Sequence, residues 1–113
     1  MRTVQLRRYA IVPGELDAFA TWWAATMPAL RAPAGFTIDF AYALAERSEF
    51  VWAVSVEGDR ERFDQAERVY LASSERAAAF VDLPERVERQ TIAFAEAVSA
   101  STSISTTSTT EKG

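Results

Sequence analysis

The sequence contains no cysteine and no histidine, and its single lysine is Lys112. The first two absences exclude disulfides, thiolate nucleophiles, zinc or haem ligation through those side chains, and every Ser-His-Asp triad. Because no lysine precedes Lys112, a Schiff base in the folded core is also excluded. Any acid–base chemistry must therefore use Asp, Glu, Tyr, Arg or water.

Positive charge is also scarce, since 16 acidic residues against 12 basic ones give a net charge of −4. A nucleic-acid-binding domain needs a basic face, so we expect no nucleic-acid partner. No apolar run approaches the roughly 20 residues that a membrane span requires. The first residues alternate between polar and apolar types instead of forming the apolar core of an export signal. We expect a cytoplasmic protein without a membrane partner.

The remaining composition, 113 residues of which 49 % are hydrophobic, is typical of one globular domain. A change of composition divides the chain at Ser99. From Ser99 to Thr110, ten of twelve residues are Ser or Thr, and such a segment can bury very little. We predict a folded domain over residues 1–98, followed by a disordered Ser/Thr-rich tail over 99–113.

Two periodicities predict the secondary structure of the first 83 residues. Period-two alternation predicts three strands, at Arg2–Val12, Phe36–Ala45 and Phe50–Val56, the last two forming a hairpin. Helical spacing predicts a helix over Glu15–Leu30, in which Pro28 is expected to end the regular helix near Thr26. A second helix, over Arg60–Ala72, has Asp59 as its N-cap, and Ser74 is expected to cap a short third helix ending at Phe80.

The helices should each bury one apolar stripe against the sheet. The stripe residues are Leu16, Phe19, Trp23, Met27 and Leu30 on the first helix, and Phe63, Ala66, Val69 and Tyr70 on the second. The acidic residues of the second helix (Glu61, Asp64 and Glu67) alternate with arginines, which is typical of a solvated face.

The segment from Pro84 to Val98 has two interpretations. Asp82 and Glu85 resemble a capping box, and the apolar residues after them have helical spacing, which favours a helix. The preceding β-α-β-β-α order favours a strand, because one further strand completes the ferredoxin-like β-α-β-β-α-β unit. We predict a strand over Arg89–Val98, and therefore an α+β fold.

The order of these elements, together with several short motifs, resembles the NIPSNAP-type members of the dimeric α+β-barrel superfamily. The matching segments are RRYAIVPGELDAFATWW, GFTIDFAYAL, FVWAVSV and DRERFDQAERVYLASSER, within residues 6–98. Each motif is weak alone, and their shared order and spacing carry the resemblance. It implies a ferredoxin-like monomer whose sheet pairs face to face with that of a second copy, forming a homodimeric barrel. Apolar or small residues on both faces of the two hairpin strands agree with that arrangement.

The superfamily includes cofactor-independent monooxygenases, polyketide cyclases, isomerases, aldoxime dehydratases and haem-degrading enzymes, so membership does not define a reaction. The absence of histidine disfavours the haem-using branches. We expect neither a metal nor an organic cofactor, and the resemblance itself assigns no activity. It places the pocket between the helices and the sheet.

Aromatic residues at the corresponding positions are the candidate substrate-binding residues, either as pocket walls for a hydrophobic or aromatic molecule or simply as core. They are Tyr9, Trp23, Phe40, Tyr42, Trp52 and Tyr70. Trp22 cannot share the stripe of Trp23, since consecutive helical residues lie about 100° apart. It is expected at a flank, a dimer contact or the pocket rim.

Three residues are the candidate catalytic groups. Asp39 interrupts an apolar strand and is interpreted either as a general base or as the partner of an arginine. Arg8 lies on the face of Val4 and Leu6, where it could bind a carboxylate or enolate oxygen, which leaves Arg7 in solvent. The hydroxyl of Tyr9 could orient a substrate oxygen, and Glu96 is a weaker candidate acid.

We therefore predict a cofactor-independent enzyme that acts on a small hydrophobic or aromatic molecule, as in a tailoring step of secondary metabolism. Cyclisation, isomerisation, dehydration and cofactor-free oxygenation all suit a pocket of Asp, Arg and Tyr. The alternative is a non-catalytic dimeric module that binds a ligand or another protein. A closed cavity with a carboxylate or arginine among aromatic side chains would favour the enzyme, and a filled core would favour the module.

Overall fold

The computed structural model describes residues 1–98, so the predicted tail over 99–113 lies outside the described residues. Four strands and three helices follow one another in those residues. They are β1 (Arg2–Ile11), α1 (Leu16–Arg31), β2 (Thr37–Leu44), β3 (Glu49–Glu57), α2 (Arg60–Leu71), α3 (Ser74–Ala79) and β4 (Val87–Ala95). Short 3₁₀ turns at Ala32–Ala34 and Ala45–Arg47 connect α1 to β2 and β2 to β3.

The strands form one antiparallel sheet in the order β2-β3-β1-β4. This order with α1 and α2 on one face is the ferredoxin-like α+β fold, as predicted. The segment after Pro84 is the strand β4, so the topological argument was correct and the local helical signals were overridden. Its pairing with β1 puts the two ends of the domain side by side.

The core lies between the sheet and the helices. Phe19, Trp23 and Met27 of α1, and Phe63, Ala66 and Tyr70 of α2, are buried there as expected. Val69 was wrongly predicted to be buried, because it points away from the sheet and is 57 % exposed.

The N-caps of α2 and α3 are both side chains that accept a hydrogen bond from a backbone N–H. Asp59 accepts from Arg62 N at 3.0 Å, which confirms it as the N-cap of α2. For α3 the cap is Ser73, which accepts from Arg76 N at 2.9 Å, and not the predicted Ser74, which is already the first helical residue.

Helix α1 continues past Pro28 to Arg31, so the expected end near Thr26 was wrong. Pro28 lacks the N–H that would bond the carbonyl of Ala24, but Ala24 is exposed and water can satisfy that carbonyl. The helix resumes with the N–H of Ala32 bonded to the carbonyl of Pro28. The additional turn places Arg31, which is 2 % exposed, one turn beyond Met27 in the core.

A β-bulge in β2 reverses the faces of its second half. Ile38 pairs with Val54 of β3, and Phe40 pairs with the adjacent Ala53, so Asp39 is the extra residue. Ile38 therefore faces the helices, whereas Phe40 and Tyr42 lie on the opposite surface, which we call the open face of the sheet. Unbroken alternation would have kept all three on one side.

Candidate functional site

A cavity of about 390 Å³ lies between the sheet, α1, α2 and the segment that carries α3 and leads to β4. Since a water molecule occupies about 30 Å³ of liquid, the cavity has room for a small organic molecule. It is partly open to solvent. Its position agrees with the one implied by the resemblance, between the helices and the sheet.

Four of the six predicted substrate-binding aromatic residues line this cavity: Tyr9, Trp23, Trp52 and Tyr70. Trp52 packs edge-on against Trp23 with ring centroids 5.2 Å apart, and against Tyr9 at 6.4 Å. These rings are buried in the core and also form part of the cavity wall. Trp22 also lines the cavity and packs edge-on against Phe80 at 5.4 Å, so of its three expected positions it occupies the one beside the pocket.

The inner wall of the cavity contains a carboxylate held between two guanidinium groups. Arg31 Nη1 donates to Glu67 Oε1 at 3.0 Å, and Arg7 Nη2 lies 3.7 Å from Glu67 Oε2. Arg7 also donates to the hydroxyl of Tyr9 at 3.1 Å and to Oε1 of Gln5 at 2.8 Å. We call Arg7, Arg31 and Glu67 the charged triad.

Arg31 is the deepest member of the charged triad. Its guanidinium carbon lies 4.1 Å from the ring centroid of Tyr70 and 4.8 Å from that of Phe36, so the cation packs on aromatic faces. Burial lowers the pKa of Arg31, and the charge of Glu67 opposes that shift. The guanidinium stays protonated at any physiological pH, and it therefore needs the carboxylate beside it.

None of the charged triad was selected from the sequence, and each omission has a structural reason. Arg7 was expected in solvent because Arg8 shares a face with Val4 and Leu6, but it is the face of Arg7 that the helices cover. Glu67 was grouped with the solvated acids of α2. Glu67 follows Ala66 and precedes Tyr70 by three residues, so it lies at the edge of the buried stripe. That position is the signal that could have identified it.

The candidate catalytic residues Asp39 and Arg8 lie on the open face of the sheet, across the sheet from the cavity. Asp39 Oδ1 accepts hydrogen bonds from Arg2 at 3.0 Å and from the Ser55 hydroxyl at 3.2 Å. Arg8 pairs with Glu49 at 2.8 Å. With Phe40 and Tyr42 also on that face, the predicted single site is divided: the sheet separates Asp39, Arg8, Phe40 and Tyr42 from Tyr9 and the cavity. Glu96 follows β4 and does not line the cavity either.

The ion pair of Arg8 and Glu49 on the open face makes a pH-dependent contribution to stability. Hydrogen bonds from Arg8 and Arg47 lower the pKa of Glu49 below its ordinary value of 4.5. Because the pKa is lower in the folded protein, the ionised carboxylate stabilises the fold at pH values above that ordinary pKa. This contribution is lost as the pH falls through the folded-state pKa. We expect Glu49→Gln to flatten the decline in stability below pH 4.5, measured by urea unfolding at stepped pH. An unchanged slope, compared with a Glu46→Gln control, would contradict the ion pair.

Among residues 1–98, five buried side-chain polar atoms have no hydrogen-bond partner. Four of them are N–H donors of residues that line the cavity: Trp23 Nε1, Trp52 Nε1, Arg31 Nε and Arg76 Nε. The fifth is Asp39 Oδ2, on the open face. Buried donors without partners are uncommon in folded proteins, and here all four belong to residues that line one cavity.

No helix within residues 1–98 is long and apolar enough to cross a lipid bilayer. No three acidic side chains in the same range converge in a way that could hold a metal ion.

The fold and the cavity define a ferredoxin-like α+β domain with a ligand-sized space between its helices and its sheet. Solved structures with NIPSNAP domains share this fold. An uncharacterized NIPSNAP domain protein from Burkholderia xenovorans superposes with a TM-score of 0.70 at 18 % identity, covering 89 % of this chain and 96 % of its own. An uncharacterized NIPSNAP-like domain protein from the same organism has a TM-score of 0.75 at 17 % identity, covering 88 % of both chains.

The same fold occurs in a putative antibiotic biosynthesis monooxygenase from Bacteroides thetaiotaomicron. Its TM-score is 0.65 at 16 % identity, over 88 % of this chain and 92 % of its own. No family model and no curated protein matches the sequence. At these identities the likeness establishes the fold, which is the one that the sequence motifs had implied, and chemistry must be argued from the site.

Proposed function

We propose that the domain is a cofactor-independent enzyme that removes a proton from a carbon atom of a small hydrophobic or aromatic substrate bound in the cavity. One observation carries the proposal: a carboxylate and two guanidinium groups lie in the wall of a cavity that is otherwise lined by aromatic rings. Aromatic walls bind flat apolar molecules by contact area and stacking, whereas the charged groups offer chemistry.

Removal of a proton next to a carbonyl is the first step shared by the reactions that the sequence suggested. An aldol cyclisation, a double-bond isomerisation and a β-elimination of water each proceed from such a carbanion or enolate. In cofactor-free oxygenation the carbanion supplies electrons to dioxygen, which is the oxidant. The protein must position the substrate, accept the proton and stabilise the oxyanion.

Three groups of the cavity wall suit these tasks. Glu67 is our candidate proton acceptor in place of Asp39, because it is the carboxylate that borders the cavity beside the aromatic walls. The cation Arg31 lies in the cavity wall, and its charge supports the developing oxyanion. The hydroxyl of Tyr9, which accepts a hydrogen bond from Arg7, can donate its own proton to a substrate oxygen.

The fold likeness adds limited support. The Bacteroides thetaiotaomicron protein is described as a putative antibiotic biosynthesis monooxygenase, which agrees with the oxygenation variant. The Burkholderia xenovorans structures are described as uncharacterized and favour no reaction. A role in secondary metabolism therefore stays part of the proposal.

The test uses carbon acids whose exchange can be followed without knowing the natural substrate. The protein is incubated in D₂O with 2-tetralone, 1-tetralone and related bicyclic ketones, and loss of the α-proton signal is followed by NMR. We expect exchange well above the buffer rate for at least one ketone, inhibited by an aromatic competitor. Exchange at the buffer rate for every ketone would contradict the enzyme proposal.

The second candidate is a module that binds the same class of molecule without turnover. Each Glu67 oxygen contacts an arginine, as in an ion pair with a purely structural role, and this observation favours the module. Ligand-induced thermal stabilisation without deuterium exchange would identify this function. Both candidates use the same cavity, and they differ only in whether Glu67 accepts a proton.

We further propose that two copies pair through the open faces of their sheets. Large apolar side chains remain exposed there, with Leu6 at 36 %, Phe40 at 38 % and Tyr42 at 62 %. One-sided exposure is normal for an antiparallel sheet, but exposed large apolar side chains on one face favour a protein interface. A second copy presents the same face, and its self-pairing needs no other partner.

The homodimer makes a direct prediction for Phe40. Phe40→Arg places a charge in the proposed interface and should convert the protein to a monomer, with a dissociation constant raised at least about 100-fold. Light scattering after size exclusion measures the mass across a dilution series. Val69→Arg, at an exposed apolar position on α2 away from the open face, is the control. A wild-type protein of monomeric mass at high concentration would contradict the pairing.

A further inference from the structure

We infer that the ligand of the cavity is an aromatic carboxylate, and that Arg76 on α3 binds its carboxylate group. This rests on the proposed function, since it names the class of molecule that enters the same cavity. Arg76 has no role in the proton transfer described above.

The hydrogen-bonding capacity left over around the cavity is of one kind. The four buried, unpartnered polar atoms of its lining residues are all N–H donors, and no unpartnered buried acceptor within residues 1–98 belongs to a lining residue. These atoms are covered by neighbouring protein atoms, so they mark a donor-rich wall, which favours a ligand with acceptor oxygens.

The charge balance of the lining residues also favours an anionic ligand. Four arginines line the cavity (Arg7, Arg31, Arg76 and Arg86), against two acids (Glu67 and Glu85). Arg7 and Arg31 share Glu67, and Arg86 donates to Glu15 at 3.0 Å. Arg76 is left without a carboxylate partner among the described residues. This positive cavity stands in a protein of net charge −4, so it does not follow from a generally basic composition.

The setting of Arg76 suits a planar anion. Its guanidinium carbon lies 4.4 Å from the ring centroid of Phe80 and 5.4 Å from that of Tyr70. Packing on ring faces limits the orientations of the guanidinium plane, and its N–H groups, which lie in that plane, find no acceptor in the rings. A carboxylate can accept two parallel hydrogen bonds from such a fixed edge while its aromatic body packs against the cavity walls.

The experiment compares matched acids and amides as probes. Binding of 2-naphthoate and 2-naphthamide, and of benzoate and benzamide, is measured by calorimetry with wild type, Arg76→Gln and Arg68→Gln. Arg68 is exposed on α2 and does not line the cavity, so it is the matched control. We expect the wild type and Arg68→Gln to favour the acids by about ten- to a hundred-fold, and Arg76→Gln to lose that preference.

The outcomes separate this inference from the proposed function. Equal binding of acids and amides by the wild type overturns the anion preference and leaves a cavity that binds aromatic molecules. An acid preference that Arg76→Gln retains overturns the role of Arg76. Failure of every probe to bind overturns the proposed function together with the inference. The wild-type comparison needs no variant, so it decides the ligand class even if Arg76→Gln folds poorly.

Discussion

Arg31→Met should destabilise the domain by about 3 kcal/mol or more, among the largest effects of any single side chain. The arginine is 2 % exposed, it donates to Glu67 at 3.0 Å, and it packs on the ring of Tyr70. Methionine fills similar space but removes the cation, so Glu67 keeps only the longer contact with Arg7 at 3.7 Å. Urea unfolding followed by tryptophan fluorescence measures the change in the free energy of unfolding.

A double-mutant cycle identifies the source of that loss. The cost can be tested at the Glu67 carboxylate, which loses its nearer cation in Arg31→Met. If that carboxylate is the source, adding Glu67→Gln should recover part of the lost stability, and the effects of the two single changes will not be additive. Arg60→Met is the matched control, because Arg60 also pairs with an acid of α2 but at an exposed position, where about 0–1 kcal/mol is expected. Equal costs for Arg31→Met and Arg60→Met would show that burial of the charged triad contributes nothing.

The fold could be predicted because several separate sequence signals agree with one another. Each strand alternates, each helix has an apolar stripe, and the order of elements requires a fourth strand even where local spacing favours a helix. Solved structures at 17–18 % identity share this fold, so few identical residues are needed to specify it. Many weak, mutually consistent preferences specify a fold more securely than any one motif.

The candidate site was less predictable because it depends on two local irregularities. One extra residue at Asp39 moves Phe40 and Tyr42 to the open face, and period-two alternation cannot reveal a bulge before the strand pairing is known. One turn of helix beyond Pro28 brings Arg31 into the core, although proline favours an earlier end. No such irregularity affects Trp23, Trp52 and Tyr70, and all three line the cavity between the helices and the sheet.

The choice between Arg7 and Arg8 shows the same limit. Adjacent strand residues point to opposite faces, so the sequence determines that one arginine faces the helices and the other does not. Both faces of β1 carry apolar residues, and only the positions of α1 and α2 decide which face is covered. The helices cover Gln5, Arg7 and Tyr9, which brings Arg7 within 3.7 Å of Glu67.

Glu67→Gln should reduce deuterium exchange of a ketone substrate by about 10²- to 10⁴-fold, the contribution typical of a general base. Glutamine keeps the shape of the side chain, and its carbonyl oxygen can still accept the hydrogen bond from Arg31. It cannot accept a proton from carbon. The exchange rate at saturating ketone is the measurement, with binding of the ketone followed separately, because a base affects turnover and not affinity.

Two carboxylates serve as controls for Glu67→Gln and locate the reaction. Asp64→Asn changes an exposed acid on the same helix and should leave exchange unchanged. Asp39→Asn tests the open face, where that carboxylate holds Arg2 and the hydroxyl of Ser55. If Asp39→Asn abolished exchange while Glu67→Gln did not, the reacting centre would lie between two paired sheets and not under the helices. The sheet separates the two carboxylates, so the two variants decide between its faces.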